Sequence, residues 1–387
     1  MTALRALVLG AALSAAGAAF ALDPQPWSDR CNPQREYASK ETPLFWYRCT
    51  DGDTVIVFVH GGTSDNLEAW QNTDERGFVR GRLLQKAFWV RRPLTGQDHY
   101  WPWILAEDRR FAGAAIALVG YYSAFLSMIY GADDAAEEWY AHLRTPSPAT
   151  GRAVMDYRQI LIVAHSTGGI VARYAIAKYA SAFAGKRLGL LLLASPAGGA
   201  KLVDGFPGRL AVVLGAHRQG WQVQSGSEFL ARVDACFRKV RDDERRGFEL
   251  LAREIAETAP YGTTACRGGG SLGLRKIVEP DKAIVHFRDG DPVTHLPSVA
   301  LDAQRDGERI CFDHEALARP MPGRSEPHEL LTELYVKGFA ERPLAAGRAI
   351  AEWGRLAPAE QTAEHLIELR AAAGEEVRRN PLDCEAR

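Results

Sequence analysis

No excess of charge of either sign marks this chain of 387 residues: 47 Lys and Arg stand against 48 Asp and Glu, a formal net charge of −1. With no basic block either, nothing favours a nucleic-acid partner. Long apolar runs are missing after the first twenty residues, so no later segment could span a bilayer. The six cysteines include no Cys-x-x-Cys pair and no clustered Cys/His spacing, which argues against a zinc site. Internal repeats are absent, and low complexity is confined to the N-terminal run. No metal or organic cofactor is implied.

What is present begins with the N-terminus. Met1-Thr-Ala-Leu-Arg5 is followed by an apolar run, Ala6 to Phe20, and by small residues around Ala19-Phe20-Ala21. This pattern predicts a secretory signal peptide over residues 1–21, with export to the periplasm or medium. All six cysteines (31, 49, 236, 266, 311, 384) lie beyond the cut, as expected for up to three disulfides in an exported protein. Proximity suggests Cys31–Cys49 and Cys236–Cys266, leaving Cys311–Cys384.

Buried parallel strands announce themselves as β-branched or leucine-rich blocks. Thr54–Val59, Ala114–Tyr122, Gln159–His165, Arg187–Ser195 and Lys282–Phe287 all read this way. Helical patterns follow at Ala132–Leu143 and Ile170–Phe183, and again after Glu329. Alternation at this spacing predicts one α/β domain over residues 22–387, with a mainly parallel central sheet flanked by helices. The interruption between residues 197 and 275 marks a lid or cap insertion, and C-terminal helices are expected over 329–387.

The run Gln159-Ile-Leu-Ile-Val-Ala-His165-Ser166-Thr167-Gly168-Gly169 carries the chemistry. A buried strand enters a sharp turn with a serine at its apex, and a helix leaves at once. The turn requires small residues two before and two after the serine, places filled by Ala164 and Gly168. A serine that merely caps a helix is the alternative. A hydroxyl nucleophile needs a base, an acid that orients the base, and donors for the oxyanion. Thr167 and Gly62 are the expected backbone donors, with Gly61 and Thr63 as neighbours; His60 braces that loop, and His165 is a packing residue.

With this kind of turn, acid and base follow the serine in the chain. Asp289 and Asp291 both lie past the last expected strand, and Asp291, opening the turn Asp291-Pro292-Val293, is preferred. Among His295, His314, His328 and His365, the loop position of His328 just before a helix favours it as base over His314. His295 is too close to the acid, and His365 belongs to a charged helical face.

These residues resemble the α/β-hydrolase superfamily, its lipase/esterase branch in particular. The resemblance lies in the strand ending in His60-Gly61-Gly62, in Ala164-His-Ser-Thr-Gly-Gly169, in Ala194-Ser195-Pro196 and in Ser227-Glu-Phe-Leu230. Asp291-Pro-Val-Thr-His-Leu-Pro-Ser298 is similar to the catalytic-aspartate segment of class 3 lipases, and Pro327-His-Glu-Leu-Leu331 to their histidine region. Ala164 departs from the usual first glycine, and Gln71–Phe111 matches nothing in the family. The resemblance implies an exported serine hydrolase, using Ser166, Asp291 and His328 on a small-molecule or lipid ester, with transient contact with a lipid surface. Acyl transfer or amide cleavage at the same site, or a non-catalytic binding scaffold, are the competing readings.

Overall fold

The computed structural model describes residues 31, 43–62, 73–81, 88–93, 100–123, 130–200, 221–243, 247–259, 276–287, 296–305, 308–320 and 325–341. The expected signal peptide lies outside the described residues. So do Asp289, Asp291, His295, His365, about half of the expected lid (201–220, 244–246 and 260–275) and the helices expected after residue 341.

The chain opens with Leu44–Arg48 (β1) and Thr54–Val59 (β2), and Thr73–Gly81 (β3) pairs antiparallel with Phe88–Pro93 (β4). Trp101–Glu107 (α1) leads through a 3₁₀ turn to Ala114–Val119 (β5), then Ala132–Leu143 (α2), Gln159–His165 (β6) and Gly168–Lys178 (α3). Arg187–Leu193 (β7), Glu228–Asp242 (α4), Glu249–Ala256 (β8) and the short helix Pro280–Ala283 (α5) follow. Val299–Ala300 (β9), the hairpin Asp302–Arg305 (β10) and Glu308–Cys311 (β11), and Glu326–Tyr335 (α6) complete the described elements.

Seven strands form the central sheet in the order β1-β5-β2-β6-β7-β8-β9. All neighbours are parallel except β1, which runs antiparallel to β5. Side chains alternate across the strands. In β2, Val55, Val57 and Val59 face one core while Ile56 and Phe58 face the other. In β6, Ile160, Ile162 and Ala164 divide from Leu161 and Val163 in the same way. Helices α2, α3 and α4 cover the first face; α1 and α6 cover the second. Burial of each such aliphatic side chain is worth about 1.5–3 kcal/mol, which is why these unbroken apolar blocks become interior strands.

The chain lays β5 on one side of β2 and β6 on the other. Loops leaving the carboxyl ends of β2 and β6 therefore part there and open a crevice, the place where sheets of this kind bind ligands. His60-Gly61-Gly62 and Ser166 are the residues at that point.

Two expectations need correction. Lys282–Phe287 is no strand: residues 280–283 form α5, and 284–287 are irregular. The strand beside β7 is instead Glu249–Ala256, whose Ala, Glu, Leu and Arg content gives a helical rather than a strand signature. Cys31–Cys49 is a disulfide as expected, but Cys236 is a buried free thiol on α4, which rules out Cys236–Cys266. Cys311 is disulfide-bonded to a partner outside the described residues. Tyr100 and Trp101 are fully buried, so that part of the aromatic Tyr100–Trp103 stretch is core.

Candidate active site

Ser166 is one of two described non-glycine residues with positive φ, at 53°. An L-residue in this region costs about 1–2 kcal/mol, so the surroundings must impose it. Several contacts do so. The Ser166 N–H still joins the sheet by donating to the Leu193 carbonyl (2.9 Å), while its own carbonyl accepts from Gly169 (3.0 Å) as α3 begins. A Cβ on Gly168 would overlap the carbonyl oxygen of His60 and come within 2.8 Å of that of Val59. Only glycine fits there. Ala164, two before the serine, is fully buried between strands, and its methyl is accommodated.

The β2 loop lies directly against this turn. A Cβ on Gly61 would stand 2.9 Å from the Ser166 Cβ, so Gly61 makes the backbone approach possible. One on Gly62 would stand 3.1 Å from Thr167 Oγ1. The N–H groups of Gly62 and Thr167 carry no hydrogen bond among the described residues. They flank the serine at the N-terminus of α3, where the helix dipole favours negative charge.

His60 holds the loop in place. Its Nδ1 donates to the Gly61 carbonyl (2.8 Å), its Nε2 accepts from the Tyr121 N–H (3.3 Å), and its ring stacks on Tyr121 at 4.6 Å. The Tyr121 hydroxyl donates to the His60 carbonyl (3.1 Å) and accepts from Thr167 Oγ1 (3.1 Å). A single phenol thereby ties the β2 loop to the serine turn. Sequence reasoning overlooked Tyr121, although its place just past the carboxyl end of β5 could have pointed to it.

The two histidines weighed as base have different surroundings. His328 is buried in α6, its Nδ1 accepting from Trp101 Nε1 (3.1 Å) and its Nε2 donating to Asp108 Oδ2 (2.9 Å). Asp108 belongs to the segment that enters the amino end of β5, whereas Ser166 follows the carboxyl end of the parallel β6. Burial pushes Asp108 up, but hydrogen bonds from His328 and Arg110 outweigh it and hold the carboxyl well below the usual carboxylate range. Both nitrogens of His328 are thus committed to joining α6 to the sheet, and neither is available to Ser166.

His314 lies beside the serine turn. The neighbouring His165 donates from Nε2 to the His314 carbonyl (2.8 Å), and the two rings are 4.7 Å apart. Burial, then the nearby Arg319 guanidinium, lowers the His314 imidazole to about 3, so it is neutral in the resting protein. Its Nδ1 is buried and faces Glu257 Oε2 at 3.7 Å. Glu257 follows β8 and is fully buried; burial, and then the negative charge of Asp313, raises its carboxyl to about 8, although a hydrogen bond from the Val278 N–H works the other way. Glu257 was missed in the sequence because its strand was missed.

Strand order, crevice and serine turn together define an α/β-hydrolase fold. No protein-family model matches the sequence, and no curated protein matches it. Among solved structures, the chain is similar to phospholipase PlaB from Legionella pneumophila, with 14% identity over 67% of this chain and 50% of that chain (TM-score 0.34). It is also similar to PlaB in complex with thio-NAD (16% identity, 53% of this chain and 38% of that chain, TM-score 0.33). A third likeness is to esterase B from Lactobacillus rhamnosis, at 16% identity over 57% of this chain and 65% of that chain (TM-score 0.29). The chain thus spans half or less of the phospholipase structures. The fold is defined by its own strand order and turn, independently of these distant likenesses.

Proposed function

We propose that this protein is an exported serine hydrolase that cleaves carboxylic esters of the lipase or esterase kind through an acyl-enzyme on Ser166. The observation that carries the reading is the strained serine turn with two unengaged N–H groups beside it, Thr167 and Gly62. A capping serine needs no positive φ, and its oxygen would accept from the first turn of the helix. Here the capping position of α3 is taken by Thr167, and no side chain caps the helix.

The base in this proposal is His314, in place of the His328 favoured by sequence. Nε2 of His314 takes the Ser166 hydroxyl proton as Oγ bonds to the ester carbonyl carbon. The carbonyl π pair moves onto oxygen, where the Gly62 and Thr167 N–H groups receive it. Collapse of the adduct breaks the bond to the alkoxy group, which leaves as an alcohol with the proton from Nε2. Water then repeats the sequence, releasing the acid and restoring Ser166. Asp291 is carried forward as the acid, on the resemblance of its segment. Export is supported by the Cys31–Cys49 disulfide and the bonded Cys311, bonds that persist in oxidising compartments. No helix among the described residues is long and apolar enough to cross a membrane.

Turnover of p-nitrophenyl butyrate tests the reading. Ser166→Ala is expected to reduce kcat by at least about a thousandfold while leaving the circular dichroism spectrum and Tm unchanged. Retained turnover in that variant would reject it.

A further inference from the structure

The two backbone donors of the proposed reaction stand on separate elements. Gly62 follows β2 and Thr167 follows β6, and the ladder between those strands ends at the pair Val59 and Ala164. Beyond that pair, the spacing of the two N–H groups depends on contacts between loops. Tyr121 lies just past β5, on the side of β2 away from β6, and reaches both loops. It is buried, and a phenylalanine would fill the same space. What the hydroxyl adds is the pair of bonds.

The phenol has a single proton. Its bond to the His60 carbonyl (3.1 Å) uses that proton, because a carbonyl only accepts, so Thr167 Oγ1 donates in the other bond (3.1 Å). Burial pushes the phenol up, against the pull of its Thr167 bond, and keeps the proton in place. The Thr167 hydroxyl proton is thereby consumed, and Thr167 offers an oxyanion its N–H alone. A Cβ on Gly62 would stand 3.1 Å from the same Oγ1, so the held side chain also sets how near Gly62 can approach. A second route runs through His60. The Tyr121 N–H on Nε2 (3.3 Å) and the stacked ring orient the imidazole, whose Nδ1 donates to the Gly61 carbonyl (2.8 Å). That carbonyl and the Gly62 N–H are opposite ends of one trans peptide, so fixing the first aims the second.

We propose that Tyr121 is a positioning residue that holds the Gly62 and Thr167 N–H groups at the separation an oxyanion requires, acting through Thr167 Oγ1 and His60. No bond to substrate forms or breaks at the phenol. Its effect falls on the tetrahedral adduct, whose oxygen needs both donors at about 2.7–3.1 Å, and hardly on the bound ester. This role rests on the hydrolase reading above and adds to it a residue from a third strand, outside the serine, its base and its acid.

The test is Tyr121→Phe in the full chain, which keeps the ring on His60 and the backbone N–H but removes the hydroxyl. Variant and wild type are compared by kcat and KM with p-nitrophenyl butyrate, counted per site labelled by a fluorophosphonate. The Ki of butylboronic acid, which forms a tetrahedral adduct on a nucleophilic serine, is measured beside them. In the variant, kcat should fall at least about tenfold and Ki should rise by a similar factor, while KM stays within about twofold. A merely structural hydroxyl would lower Tm and the labelled fraction but leave kcat and Ki per site as in wild type. That result would overturn the proposal and leave the hydrolase reading standing, as would a fall in kcat with Ki unchanged. Thr167→Val breaks the same link from its other end while keeping the N–H. The double variant should be no slower than the slower single one, and fully additive losses would overturn the proposal. If Tyr121→Phe does not fold, Thr167→Val carries the test alone: the same changes in kcat and Ki support the role, and wild-type values overturn it. Failure of wild-type Ser166 to label would overturn both readings.

Discussion

At the scale of single residues, the account turns on which histidine faces the serine. His314 and His328 are both buried and lie only fourteen positions apart, yet their partners differ in kind. His328 is held between Trp101 and Asp108, while His314 lies against His165 and Glu257. Substituting each by Ala separates the roles. His314→Ala should abolish ester turnover with little change in Tm. His328→Ala removes a buried side chain bonded by both Trp101 and Asp108, while Arg110 still holds the Asp108 carboxylate, and should cost about 1–3 kcal/mol of unfolding free energy, while kcat/KM of the folded fraction stays within about threefold of wild type. Urea unfolding and initial rates measure both, and the reverse pattern would restore His328 as base. Sequence spacing had no means of deciding this. Both histidines follow the serine in the chain, and it is tertiary bonds, of Thr258 with Phe312 and of His165 with the His314 carbonyl, that bring the His314 segment to the sheet end where Ser166 lies.

At the scale of elements, the turn between β6 and α3 was the most legible part of the chain. Its strand carries an unbroken apolar block, its serine stands at the required offset from two small residues, and its Gly168 is required by close contact with the His60 and Val59 carbonyls. Gly168→Ala drives a methyl into the Val59 and His60 carbonyls and must push the β2 loop away from Ser166. We expect a loss of about 2–4 kcal/mol in stability and a fall in kcat at least as large as that from losing one oxyanion donor, about a hundredfold. Wild-type kcat in this variant would show that the β2 loop does not serve the serine. Strands β2, β5, β6 and β7 were legible for the same reason as the turn: burial on both faces leaves mainly apolar residues, with polar ones at the strand ends. By contrast, β8 carries Glu249, Arg253 and Glu254, charges satisfied by tertiary partners that local pattern cannot reveal. Glu254 accepts three backbone N–H bonds from Val285, His286 and Phe287, which occupies the very segment that reads as a strand. The irregular backbone of residues 285–287 finds its N–H partners on that carboxylate, not in a sheet.

At the scale of the whole molecule, the buried titratable groups beside the serine make stability depend on pH in two opposite ways. His314 has a folded pKa near 3, below its ordinary value of 6.5, so the stability it lends is present above 6.5 and is lost as pH falls toward 3. Glu257 is raised from 4.5 to about 8; its contribution is full below 4.5 and is lost as pH rises through 8. The urea midpoint should therefore fall on both sides of an intermediate plateau. Glu257→Gln should flatten the alkaline side, because the amide has no proton to lose. An alkaline decline of equal size in that variant would mean that Glu257 is not the titrating group.

The central claim is that Ser166 is an activated nucleophile, and one measurement addresses it without presupposing a substrate. Intact-mass and peptide analysis after treatment with a fluorophosphonate should find a single adduct, on the peptide that contains Ser166, and Ser166→Ala should remove it. A folded wild-type protein that takes up no adduct, or carries it on another residue, would contradict the account.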